Sequence, residues 1–86
     1  PQYYKRYPSE KRLFAPDCQG ADLTACSDPE ILNSYDNTIA FTDSVIGDLI
    51  DALDVHADWD TSLLYVSDHG ESIGEGGIYL HAMPYR

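Results

Sequence analysis

The sequence predicts an α/β fold, and three observations carry that prediction. A capped stretch with helical periodicity covers about residues 28–54, a nearly unbroken apolar run fills residues 61–66, and a glycine-rich segment holding Asp68, His69, Glu71 and His81 follows it. The helix begins at Ser27-Asp28-Pro29-Glu30. Ser27 is suited to cap, Pro29 is tolerated in the first turn, and Glu30 stands where a capping box places its acid. Leu32, Tyr35, Ile39, Val45, Ile46, Leu49, Ile50 and Leu53 then recur at helical spacings, with Thr42 filling one step. Asp36, Asp43, Asp48, Asp51 and Asp54 fall mainly between them, which is the pattern of an amphipathic helix. Gly47 costs such a helix about 1 kcal/mol relative to alanine, so its presence suggests close packing against a neighbouring element.

Residues 61–66 (Thr-Ser-Leu-Leu-Tyr-Val) are bounded by polar residues and read as one strand buried on both faces, as in a parallel sheet. A lone buried strand needs ladder partners, and no second such run exists in the chain. The expectation is therefore that the 86 residues are an excerpt from a longer α/β protein. Residues 1–26 are rich in Tyr, Pro and turn formers and are expected to be irregular. Within them Cys18 and Cys26 bracket CQGADLTAC, where Gly20 permits a tight reversal. A bridge there would remove roughly 2–3 kcal/mol of unfolded-state freedom and imply an oxidising compartment. Two unpaired thiols are the alternative, and a zinc pair is disfavoured by a spacing longer than the usual knuckle.

Composition excludes several classes. Fifteen acidic against five basic side chains give a net charge of -10, yet 43% hydrophobic and 12% aromatic residues are too many for an acidic disordered tail. Four of the basic groups (Lys5, Arg6, Lys11, Arg12) lie in residues 1–12, leaving a strongly acidic body that argues against nucleic acid as partner. The basic segment suits either an anionic lipid headgroup or an ordinary solvated turn. Within this stretch no apolar run is long enough to span a bilayer and no leader pattern is seen, which describes these residues only.

The chemistry lies at residues 67–86. In parallel α/β sheets ligands bind beyond the carboxyl ends of the strands, where Ser67-Asp68-His69-Gly70-Glu71-Ser72 is expected. A carboxylate oxygen and a neutral imidazole nitrogen are both good zinc donors, so Asp68 and His69 are candidate ligands. Zinc wants about four ligands, and by spacing Glu71 and His81 are the nearest recruits. Gly70, Gly74, Gly76 and Gly77 would let the chain fold the Tyr-Leu-His segment back over the strand end. His56 reads as solvent-facing, and Tyr79 and Tyr85 as wall or core. Ser67 and Ser72 lack a neighbouring base and the nucleophile-elbow pattern.

YVSDHGES, with GEGGIYLHAMPY after it and YYKRYP at the beginning, resembles the phosphoethanolamine transferases that modify lipid A, including the mobile colistin-resistance enzymes, within the alkaline phosphatase and sulfatase superfamily. The resemblance runs from the tyrosine-rich opening through CQGADLTAC and SYDN to the final motif. It implies a partial catalytic domain of the alkaline-phosphatase-like parallel-sheet sandwich. Asp68 and His69 would be zinc ligands, His81 would lie by the substrate phosphate or a second metal, and Glu71 would be a substrate-side residue. It implies transfer of phosphoethanolamine from phosphatidylethanolamine to a lipid A phosphate through a threonine outside this stretch. It also implies a catalytic domain in the periplasm, anchored to the bacterial inner membrane by a segment not present here, and a periplasmic Cys18–Cys26 bridge. Ala82 stands where such proteins commonly have Gly, and Gly76 where Asn is common. Competing readings are a sulfatase or phosphatase using the same metal cradle, and a non-enzymatic acidic interaction domain. On any of these readings the 86 residues alone are expected to be catalytically silent.

Overall fold

The computed structural model describes residues 3–20, 22–56 and 58–80. Its long element, α1, spans Asp28–Asp54, the bounds that the capping signal and periodicity predict. The start is chemically fixed. Ser27 Oγ accepts from the Glu30 backbone N–H at 3.3 Å, and Glu30 Oε1 accepts from the Ser27 N–H at 2.9 Å, so two otherwise orphaned donors are satisfied reciprocally. The Ser27 N–H and the Ser27 hydroxyl, both donating to Oε1, hold the Glu30 carboxyl below its ordinary value.

The buried face of α1 differs from the expected apolar stripe. Its buried residues are Ile31, Ser34 and Asn37, whereas Leu32, Ile39, Val45, Leu49 and Ile50 are exposed. The physical reason is what lies on the helix. An irregular segment, residues 14–18, crosses the first half of α1 without a ladder, so its backbone groups need side-chain partners. Asn37 accepts from the Phe14 N–H at 2.8 Å and donates to the Phe14 carbonyl at 3.0 Å. Ser34 Oγ accepts from the Cys18 N–H at 2.6 Å, and Asn33 donates to the Pro16 carbonyl at 2.8 Å. A polar row thus clamps a loop. Beyond Asn37 the apolar positions Ile39, Val45, Leu49 and Ile50 stay exposed. Gly47 likewise meets nothing within 4 Å of where a Cβ would stand, so the expected close packing there is absent among the described residues.

Residues 3–20 and 22–26 are irregular apart from three short 3-10 turns, Tyr3–Lys5, Ser9–Lys11 and Leu23–Ala25. They are tied down by polar contacts. The buried Asp17 carboxylate accepts from Tyr7 Oη and from Gln19 Nε2 and faces Arg12 at 3.2 Å. Cys18 and Cys26 are bridged, with Cα atoms 5.7 Å apart, which fastens the segment beside the helix cap at Ser27.

The expected buried strand at residues 61–66 is not formed in this structure. The segment carries no strand assignment and is exposed throughout, with Leu64 at 89% and Val66 at 79% exposure. The described residues supply no strand to pair with it, and an unpaired backbone stays toward water. The sheet that does form is a two-stranded antiparallel hairpin, β1 (Ser72–Ile73) and β2 (Tyr79–Leu80), in the register Ser72 with Leu80 and Ile73 with Tyr79.

Candidate metal and phosphate site

The site is a tight turn leading into the hairpin. Ser67 Oγ donates to the His69 carbonyl at 2.7 Å, which curls the chain at Asp68. His69 Nδ1 lies 2.9 Å from the Gly70 carbonyl oxygen. A carbonyl can only accept, so Nδ1 carries the proton in this contact and the neutral ring keeps its lone pair on Nε2. That nitrogen lies 3.6 Å from Asp68 Oδ1. Two donors bound at about 2.0–2.1 Å to a tetrahedral zinc ion stand about 3.3 Å apart, so the pair is close to the spacing a shared ion requires. The Nδ1 contact to a backbone carbonyl is also the arrangement that fixes a ligating imidazole. Both side chains are open to solvent, Asp68 at 90% and His69 at 46%. The chemistry and spacing of these two residues therefore fit zinc. Among the described residues no cluster of three or more His, Cys, Asp or Glu side chains suited to a metal forms. His81, the expected neighbour of the phosphate, lies outside the described residues.

Glu71 is turned to the N-terminal segment. Its Oε2 accepts a hydrogen bond from Tyr3 Oη, across 68 positions of sequence, and its Oε1 lies 3.9 Å from Arg6 Nη1. Arg6 in turn stands over the Tyr3 ring, 5.1 Å from its centroid, while that ring meets Tyr35 of α1 edge-on at 6.2 Å. Burial, reinforced by the Glu71 carboxylate, pushes the Tyr3 phenol well above its ordinary value, so it remains a hydrogen-bond donor at neutral pH. The sequence reading placed Glu71 on the substrate side and gave no individual role to Tyr3 or Arg6. The available signal was a tyrosine whose hydroxyl would need a partner if buried.

The hairpin that carries the motif away is shaped by its glycines, as the Gly-rich spacing predicts. Gly74 has φ +121° and its backbone lies under the Tyr79 ring, where an added Cβ would stand 3.3 Å from Tyr79 Oη. The Gly74 N–H donates to the Ile78 carbonyl at 2.9 Å. Glu75 closes the turn by accepting from the Ile73 N–H at 2.8 Å, and backbone N–H groups of Glu75 and Ile73 hold its carboxyl low. Tyr79 Oη donates to Asp28 Oδ1 in the first turn of α1 at 2.7 Å, which raises the phenol. The motif loop is thus moored to the N-terminal segment at Glu71 and to α1 at Tyr79.

The sulfatase family model matches residues 1–86, and the chain belongs to that family. Within it the chain is similar to phosphoethanolamine transferases. It is 48% identical over 85 residues to phosphatidylethanolamine transferase Mcr-2 of Escherichia coli, covering 98% of this chain and 16% of that protein. It superposes with a TM-score of 0.94 at 49% identity on the C-terminal periplasmic domain of phosphoethanolamine transferase EptC from Campylobacter jejuni, covering 99% of this chain and 28% of that structure. The integral membrane protein lipooligosaccharide phosphoethanolamine transferase A from Neisseria meningitidis gives a TM-score of 0.93 at 44% identity, with 99% of this chain and 16% of that structure covered. The chain spans about 16% of the length of the curated relatives it matches.

Proposed function

We propose that these residues form the metal-bearing part of the catalytic domain of a zinc-dependent phosphoethanolamine transferase, which acts between phosphatidylethanolamine and a lipid A phosphate. The observation that carries this reading is the Asp68 Oδ1 to His69 Nε2 approach of 3.6 Å, with the other ring nitrogen held by Gly70. It is supported by the phosphoethanolamine transferase identity of relatives matched over nearly the whole chain. Asp68 and His69 would hold the zinc ion, which when bound lowers the pKa of a coordinated hydroxyl and stabilises charge on a phosphoryl oxygen. This chain's own part is to present one carboxylate and one imidazole of defined tautomer at an open turn, where a phosphate ester can reach them.

On this reading the nucleophile is a threonine outside this stretch, and His81, which lies outside the described residues, would serve the substrate phosphate or a second metal. The catalytic domain sits in the periplasm on an inner-membrane anchor. That placement is supported by the periplasmic and integral-membrane relatives, and no helix of the described residues is long and apolar enough to cross a membrane. The test is His69→Ala in the full-length protein. Stoichiometric zinc by elemental analysis is expected to fall to background, and zinc retained at the unsubstituted level would reject the ligand assignment.

A further inference from the structure

We propose that Tyr3, braced by Arg6, is a positioning residue that fixes the orientation of the Asp68–His69 pair by holding Glu71. The proposal rests on the reading that this pair binds zinc. A ladder would fix the backbone only as far as the end of residues 61–66, whereas the two ligand side chains sit on the turn beyond it and face solvent. Glu71, two residues past His69, is by contrast nearly enclosed, with 10% of its side chain exposed.

Each oxygen of the Glu71 carboxylate is met from the N-terminal segment, Oε2 by the Tyr3 hydroxyl and Oε1 by the Arg6 guanidinium. A hydroxyl donating to a carboxylate is a charge-assisted bond, stronger and shorter than a neutral one. The donor is itself immobile, because Tyr3 is 2% exposed and wedged between Tyr35 of α1 and the Arg6 guanidinium. The turn is therefore referred to the helix through a buried phenol. Its far end is referred to the same helix through Tyr79 and Asp28. Groups hydrogen-bonded directly to metal ligands change metal affinity by about 10–100-fold when removed; Glu71 acts through the backbone two residues from His69, so an effect at the lower end, about 10-fold, is expected.

The experiment measures zinc affinity of the full-length protein by competition with a chromophoric chelator, and records the visible spectrum of the Co(II)-substituted protein. Far-UV circular dichroism confirms the fold of each variant. Tyr3→Phe keeps the ring against Tyr35 and removes only the hydroxyl. It is expected to weaken zinc binding about 10-fold and to alter the cobalt bands. Glu71→Ala should do the same, while Glu71→Gln, which keeps an oxygen for Tyr3 to donate to, should hold zinc within about threefold of the parent.

Folded Tyr3→Phe and Glu71→Ala proteins with parental affinity and cobalt spectrum would overturn the proposal. So would Glu71→Gln and Glu71→Ala losing affinity equally. If Tyr3→Phe does not fold, the two Glu71 variants decide between these outcomes. His69→Ala separates the two levels. Zinc retained in that variant removes the site reading itself, whereas zinc lost there but unaffected by Tyr3→Phe and Glu71→Ala removes the positioning role alone.

Discussion

Replacing Asn37 by alanine tests whether the polar face of α1 holds the N-terminal segment in place. Asn37 is fully buried and makes two hydrogen bonds to one residue, accepting from the Phe14 N–H at 2.8 Å and donating to its carbonyl at 3.0 Å. Truncation strands a backbone donor and a backbone acceptor together. A fully buried group left without a partner costs about 1–3 kcal/mol, but Phe14 is 42% exposed and both bonds are part-buried, so the expected total loss is about 1–3 kcal/mol. Asn33→Ala is the internal control. It removes the same kind of side-chain bond to the same segment, at 2.8 Å to the Pro16 carbonyl, but that bond is exposed and water can replace it. Its expected loss is under about 1 kcal/mol. Urea unfolding followed by far-UV circular dichroism reads both, as midpoint shifts at an unchanged slope. If Asn37→Ala costs no more than Asn33→Ala, the reasoning that buried backbone pairing governs this contact is refuted.

Two further predictions concern the elements on either side of that contact. Ser27→Ala removes the acceptor for the Glu30 N–H and should lower stability by about 1 kcal/mol, while Ser27→Asp, which restores an acceptor, should recover most of it in the same unfolding assay. Burial alone would push the Asp17 carboxyl up, but hydrogen bonds from Tyr7 and Gln19 and the Arg12 charge outweigh it and leave it below its ordinary value. A carboxyl depressed in the folded state stabilises the fold above its unfolded pKa and loses that contribution as pH falls through the folded value. Below about pH 4 the parent should therefore lose stability more steeply than Asp17→Asn, by up to about 1.4 kcal/mol per pH unit, and equal acid limbs would contradict this.

What was legible in the sequence was whatever depends on neighbours along the chain. The ends of α1 follow from Ser27, Pro29 and Glu30 and from a period sustained to Asp54, all local chemistry, and the structure has the helix between those bounds. The Cys18–Cys26 bridge needs only a short loop that can reverse, and the hairpin after the motif needs glycine where φ is positive, as at Gly74. What the described residues do not reproduce depends on residues far apart. An apolar period says which face of a helix prefers burial, not which layer is present to bury it, so Ile39 and Leu49 lie exposed while Ser34 and Asn37 are enclosed. Residues 61–66 have the composition of a buried strand, but strand formation needs a partner that the described residues lack. At the site, the Asp68–His69 pair was legible because its two members are adjacent. The engagement of Glu71 by Tyr3 was not, because no local rule links positions 68 apart.

The uneven charge of the chain takes on a different meaning once these contacts are known. A run with four of the five basic groups invites the reading of an anionic-lipid contact, or of a solvated turn with no particular role. Two of the four face carboxylates of the chain itself: Arg6 lies beside Glu71 at the motif, and Arg12 lies 3.2 Å from the buried Asp17. Lys5 stands over the Tyr4 ring, 5.8 Å from its centroid. Exposed ion pairs contribute little, but the Asp17 side chain is almost wholly enclosed, and removing its partner would leave a buried charge. The asymmetry is thus largely an intramolecular device. A basic, tyrosine-rich opening is ordered by acids at positions 17 and 71, and in ordering it the chain brings Tyr3 and Arg6 against the motif that carries the chemistry.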